Sequence, residues 1–254
     1  MAERVVLCMK WGTLYSAKYV NILHRAVKDH LSYPFRFVCL TDDADGLDPE
    51  IEHHPIPDLG LPEEKVYHGA WPKLSVFGAR LYDLTGRCLF IDLDSVIVGP
   101  LDPFFEVDST YHAIGGGTDW RRGANQTKPP ELLTGVFGLE IGSHPDVLAT
   151  FMEDQKDAFA KYLNEQEFVE GVISDWRPWP DGWIVSFKRH LRRSIGADLL
   201  LPVYDPPADA KIVAFHGDPR PIDLVGRKRL WIDAPHSVRC PVTWLDAYWS
   251  KYGG

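Results

Sequence analysis

Up to Ile91 the chain alternates short apolar runs with segments of helical period. Arg4–Met9 is an apolar run of strand length, suited to burial on both faces. Ser16 stands where a helix N-cap belongs, and Tyr19, Val20, Leu23, Val27 and Leu31 recur at the spacing of one helical face. Phe35–Leu40 predicts a second strand, which ends in Thr41-Asp42-Asp43, and a weaker third lies near Ile51–Ile56. Pro72 suits a helical first turn, Leu74, Phe77, Leu81 and Leu84 extend the period, and Gly86 ends it before a strand at Arg87–Ile91. This βαββαβ-like order predicts a mostly parallel sheet covered by helices. In such sheets ligands sit beyond the carboxyl ends of the strands. Three polar segments occupy those places: Lys10–Thr13, Thr41–Asp43 and Asp92–Asp94.

The second half is less regular. Leu132–Ile141 reads as a glycine-broken strand, and Pro145–Leu163 and Glu165–Ile173 read as helices. Trp176–Trp183 is rich in Pro and Trp and predicts a structured loop. Gly115–Trp120 predicts a flexible loop over the site. Lys211–Phe215 is a late strand leading into His216-Gly-Asp-Pro-Arg-Pro221. No repeat, linker or low-complexity segment interrupts residues 1–254. They read as one α/β domain, with a nucleotide-donor half over about 1–100 and an acceptor half over about 101–254.

Composition narrows the function classes. The 254 residues carry 27 Lys and Arg against 36 Asp and Glu, a net charge of −9, which argues against a nucleic-acid partner. The four cysteines, Cys8, Cys39, Cys88 and Cys240, lie far apart and read as reduced, mostly buried thiols. No signal-peptide pattern or membrane-span run is visible, so a cytoplasmic location is expected.

The strongest chemical signal is Cys88-Leu-Phe-Ile-Asp-Leu-Asp-Ser-Val-Ile-Val98. An apolar strand runs into Asp92-Leu93-Asp94 and re-enters an apolar run, which is unusual for a solvated turn. Extended backbone puts Asp92 and Asp94 on one face. Two close carboxylates repel unless a cation stands between them, and a hard divalent ion with oxygen ligands suits the pair.

This segment resembles the DxD motif of GT-A-fold glycosyltransferases, particularly glycosyltransferase family 8 and its relatives. Lys73-Leu74-Ser75-Val76-Phe77, Asn164-Glu165-Gln166-Glu167 and Phe215–Pro221 extend the resemblance in order and spacing over roughly residues 4–222. It implies a GT-A-like three-layer α/β/α domain and sugar transfer from a nucleotide-sugar donor, UDP-linked, to a saccharide or glycolipid acceptor with retained configuration. Asp92, Asp94 and His216 would hold Mn²⁺ or Mg²⁺. Lys73 and Arg220 would meet the diphosphate beside Gly217, and Glu165 and Gln166 would stand at the donor sugar. Lys10, Gly12, Thr13, Asp42 and Asp43 would lie toward the nucleoside. Glu165 replaces the usual Asp of the family's Asp-Gln pair, Arg220 replaces a Lys, and Lys10–Tyr15 is not the common family opening.

Other readings compete. Phe90–Val98 also resembles the nucleophile motif of haloacid-dehalogenase-like phosphatases, with Asp92 attacking phosphate and Asp94 as acid/base. That motif normally opens a chain, whereas α/β pattern precedes it here. A carbohydrate-binding module would use the Trp and Tyr residues, with Trp176, Trp179 and Trp183 either stacking on sugars or filling the core. A nucleotidyltransferase would need a glycine-rich basic loop that is absent. Two basic clusters, Lys188–Arg193 and Arg227–Arg229, together with the aromatic Trp244–Trp249, raise a peripheral contact with an anionic membrane. A terminal helix packed on the core, with Leu245 and Tyr248 buried, is the favoured account of the last segment.

Overall fold

The computed structural model describes residues 3–108, 110–117, 120, 131–226, 231–233 and 236–253. Arg227–Arg229, and Thr118 and Asp119 of the predicted glycine-rich loop, lie outside the described residues. The elements are β1 (Arg4–Lys10), α1 (Ala17–His30), β2 (Arg36–Thr41), β3 (Glu52–His54), α2 (Glu63–Tyr67), β4 (Arg87–Ile91), β5 (Ser95–Ile97), β6 (His112–Gly116), β7 (Glu131–Glu140), α3 (Pro145–Glu153), α4 (Gln155–Lys161), α5 (Glu165–Val172), β8 (Arg177–Pro178), β9 (Ile184–Ser186), β10 (Ile212–Ala214), α6 (Pro221–Leu224), β11 (Trp231–Asp233), β12 (His236–Val238) and α7 (Thr243–Tyr252).

Seven strands form the central sheet in the order β3-β2-β1-β4-β7-β6-β8. Parallel pairings join β3, β2, β1 and β4, and β7 alone runs against its neighbours. Both faces are buried, which explains the continuous apolar runs. Val6 and Cys8 point to one core with α1 and α7, while Val5, Leu7 and Met9 point to the other. Trp71, Phe151 and Phe168 pack in that second core, from the segment before β4 and from α3 and α5. The result is a mixed, mostly parallel α/β/α sandwich. Among the described residues, no helix is long and apolar enough to cross a membrane.

The late strand read at Lys211–Phe215 is β10, but the sequence does not show that it joins β5 and β9 in a second sheet, β5-β10-β9. The three-residue β5 and β9 are too short to show a period. The predicted helix from Pro72 is instead a 3₁₀ turn, Trp71–Phe77, entered through a left-handed Ala70 (φ 55°) and ended at Gly78. All seven residues of the turn are buried. Leu81 and Leu84, read as its continuation, pair with each other in an isolated bridge. Pro145–Leu163 divides into α3 and α4 at Asp154, whose side chain caps α4 by accepting from the Asp157 N–H at 2.9 Å. Gly115 and Gly116 belong to strand β6, not to a loop.

Trp179 is core: its indole N–H donates to the Val136 carbonyl at 3.0 Å, and its ring stacks on His112. The basic run begins as a π-helical turn, Phe187–Leu191, and Arg192 is buried. Helix α7 packs through Leu245, Tyr248, Trp249 and Tyr252, as the packed-helix reading expects.

Candidate functional site

The site forms where β4 of the large sheet hands the chain to β5 of the small one. The Asp92 N–H donates to the Gly135 carbonyl at 2.8 Å, and the Ser95 N–H donates to the Asp92 carbonyl at 3.0 Å. This tight turn buries Leu93 in the core and leaves Asp92 and Asp94 lining one cleft of about 990 Å³. Ala214 of β10 pairs with Ser95 of β5 and with Ser186 of β9. The Phe215 N–H then donates to the Asp94 carbonyl at 3.2 Å, which swings His216 and Gly217 into the same cleft. The His216 Nε2 lies 2.6 Å from the Ser186 Oγ.

Behind Asp92 sits a buried polar group. Lys73 Nζ lies 2.9 and 3.0 Å from the two Asp92 oxygens and 3.6 Å from Glu165. It also donates to the Thr134 carbonyl at 3.2 Å. Glu165 accepts from the Thr134 hydroxyl, and the Gln166 Oε1 accepts from the Thr134 N–H at 3.3 Å. Asn164 caps α5 through the Glu167 N–H, and the Glu165 N–H donates to the Gly69 carbonyl, which fixes both side chains at the cleft wall.

Charge follows burial. Burial lowers the Lys73 ammonium, but Asp92 and Glu165 outweigh it and the net shift is upward. Burial raises Asp92 and Glu165. Asp94 is pushed up to about 7, first by burial and then by the charge on Asp92. His216 is lowered to about 4 by burial and then by Lys188 and Arg189, so it is a neutral imidazole near pH 7.

A second cavity of about 680 Å³ meets the first over Ala70, Lys73, Asp92 and Asp94. Gly12, Thr13, Trp11, Tyr15 and Tyr67 line it. Asp42 and Asp43 line neither cavity; they hold the loop that does. The Gly12 N–H donates to Asp42 Oδ2 at 2.8 Å, and the buried Lys10 Nζ donates to the Asp43 carbonyl at 2.8 Å. The Trp11 indole donates to the Val66 carbonyl at 2.8 Å, tying α2 to the loop. Arg220 stands at the edge, its guanidinium 5.7 Å from the Tyr15 ring centre.

Sequence reasoning did not single out Tyr15, whose hydroxyl donates to Asp94 Oδ2 at 3.3 Å. It also missed Thr134, Tyr67 and Ser186, and took Arg189, which lines the cleft, only as part of a basic cluster toward a membrane. An aromatic in a loop carries no periodic signal, although Tyr15 follows the end of β1 closely enough to fall among ligand-side residues.

The implied metal set fits by chemistry: two carboxylates and a neutral imidazole on one cleft suit a hard divalent ion. It is not drawn together at ligand distance. Among the described residues, only Glu52, His54 and Asp83 offer three such atoms within 4.8 Å of one another. That group lies at the sheet edge, where Arg36 pairs with both Glu52 and Asp83. Asp92, Asp94 and His216 are each held by a protein partner instead: Lys73, Tyr15 and Ser186.

No family model matches the chain, and no curated protein does. Solved structures do. The chain is similar to the galactosyltransferase LgtC, solved with donor and acceptor sugar analogues: TM-score 0.55, 12% identity, covering 85% of this chain and 88% of LgtC. It is similar to the glycosyltransferase GlyE of Streptococcus pneumoniae TIGR4 at TM-score 0.60 and 12% identity, covering 99% of this chain and 61% of GlyE. The bifunctional WbbM matches at TM-score 0.55 and 12% identity, over 87% of this chain and 47% of WbbM. The fold is therefore the GT-A-like α/β fold of these glycosyltransferases.

Proposed function

We propose that the chain is a metal-dependent glycosyltransferase that moves a sugar from a UDP-linked donor to the hydroxyl of a saccharide or glycolipid acceptor, retaining configuration. The observation that carries the reading is the position of Asp92 and Asp94. They stand beyond the carboxyl end of β4, at the junction of two cavities, in a fold shared with glycosyltransferases.

In this reading the smaller cavity takes the nucleoside against Gly12, Thr13 and Tyr15, and the larger takes the sugar and acceptor. Asp92, Asp94 and His216 would hold Mn²⁺ or Mg²⁺, which when bound acts as a Lewis acid on the diphosphate. Arg220 supplies positive charge toward the phosphates, with its planar donor fork suited to their oxygens. Lys73 holds Asp92 and Glu165 in place. Glu165 and Gln166 line the cleft where the donor sugar would rest, with the Glu165 oxygen bonded to Thr134 and that of Gln166 turned to the Thr134 N–H.

The test is ligand-linked melting of the full chain with UDP, with and without Mn²⁺. A ligand at about 100 times its Kd stabilises the native state by about 2.7 kcal/mol. We expect a shift with UDP plus Mn²⁺ that Asp94→Ala abolishes while its own ligand-free Tm stays at the wild-type value. An equal shift in the variant would remove Asp94 from the site.

A further inference from the structure

Strand β7 carries an irregularity at the point where it passes the cleft. Ala113 of β6 pairs with Phe137, yet its neighbour Ile114 pairs with Leu133. Thr134, Gly135 and Val136 thus face no β6 partner, which is a bulge of the kind that re-aims side chains. The core pattern changes phase across it: Leu132 and Phe137 lie in one core, whereas Leu133 packs toward the other together with Val136. The bulge turns Thr134 into the cleft wall, where it is 3% exposed.

Every polar group of Thr134 meets a different residue of the site. Its hydroxyl donates to the Glu165 carboxylate. Its N–H donates to Gln166 Oε1 at 3.3 Å, and its carbonyl accepts from Lys73 Nζ at 3.2 Å. The next residue, Gly135, accepts the Asp92 N–H. Any residue here would have to pair its buried N–H and carbonyl; the hydroxyl bond to Glu165 is the contact that a threonine placed only for packing would not need. The side chains that Thr134 meets come from two separate parts of the chain: Lys73 from the turn before β4, and Glu165 and Gln166 from the start of α5.

We infer that Thr134 is a positioning residue: it sets Glu165 and Gln166 against Lys73 and Asp92, and so fixes the floor on which the donor sugar reacts. The inference rests on the proposed function for the reaction it serves, but the positions it sets are independent of that reading. The hydroxyl is the one contact that a side-chain change removes while the backbone contacts stay. Thr134→Val is nearly isosteric and deletes it; Thr134→Ser restores it. A buried carboxylate that loses its donor shifts, and small misplacements at a reacting centre cost rate more than binding.

The test uses the full chain and both variants, with steady-state turnover of UDP-sugar, Tm and crystal structures. We expect kcat of Thr134→Val to fall about tenfold or more. Its donor KM stays within about twofold, and Thr134→Ser recovers most of the rate. In the Val variant the Glu165 carboxylate leaves its place beside Lys73; in the Ser variant it stays. An unchanged kcat or an unmoved Glu165 in the Val variant overturns the inference. So does a loss confined to KM, or one that Ser does not repair. If the wild type turns over no nucleotide sugar, the proposed function fails, and the position of Glu165 in the two variants still decides the role of Thr134.

Discussion

Gly12 holds a φ of +62°, a conformation that costs an L-residue about 1–2 kcal/mol. A Cβ there would also stand 2.9 Å from the Tyr67 ring. We expect Gly12→Ala to lower stability by about 1–2 kcal/mol in urea denaturation. It should also push Tyr67 aside and raise the donor KM more than it lowers kcat. An unchanged KM would separate this loop from nucleoside binding. At this scale the acidic pair was legible because a charged turn between two apolar runs has few structural explanations. Tyr15 and Thr134 were not, because each gains its role from a contact far along the chain: Tyr15 from Asp94, and Thr134 from α5 and Lys73.

Elements follow local chemistry where their ends are marked. Asp154 was read as the interior of one long helix, yet its carboxylate satisfies one of the free N–H groups in the first turn of α4, that of Asp157, and starts a new helix. Replacing an N-cap aspartate by alanine costs about 1 kcal/mol. We expect that loss for Asp154→Ala in urea melts, with turnover untouched, since Asp154 lies away from both site cavities. β1, β2 and β4 were readable because burial on both faces leaves continuous apolar runs. The 3₁₀ turn Trp71–Phe77 was misread as the start of a longer helix. Its period is carried by complete burial, and the sequence up to Gly86 does not show that Gly78 stops it. The small sheet that delivers His216 depends on pairing among three-residue strands distant in sequence, which no local pattern records.

Across the whole molecule, acid should loosen the join between the Ala197–Leu199 turn and β12. Asp198 is buried and accepts from the His236 ring at 3.0 Å and from the Ser237 and Gly196 N–H groups. Burial raises its carboxyl, but the Ser237 N–H and His236 overcome this and hold it below the ordinary 3.8. A carboxylate lowered by folding adds stability that is present above its unfolded value and disappears as pH falls through its folded value. The stability gap between wild type and Asp198→Asn is therefore expected to be full at pH 7 and narrower at about pH 3. A gap of constant size in urea melts at the two pH values would show that the charge of Asp198 carries none of it.

At the same scale the acidic chain gathers its chemistry at one junction: two cavities, the half-buried Asp92 and Asp94, the buried Glu165, and a buried Lys73 that pairs with Asp92 and Glu165. A phosphatase built on the same two aspartates would cleave phosphomonoesters and leave UDP-sugars intact. The most direct measurement is UDP release from a panel of UDP-sugars by the full chain, with Mn²⁺ and after its removal by EDTA, alongside a phosphomonoester control. The account predicts release with at least one UDP-sugar, restored by Mn²⁺ after EDTA and reduced about 100-fold or more in Asp94→Ala. Release that ignores EDTA and survives in Asp94→Ala would contradict it, as would hydrolysis of the phosphomonoester alone.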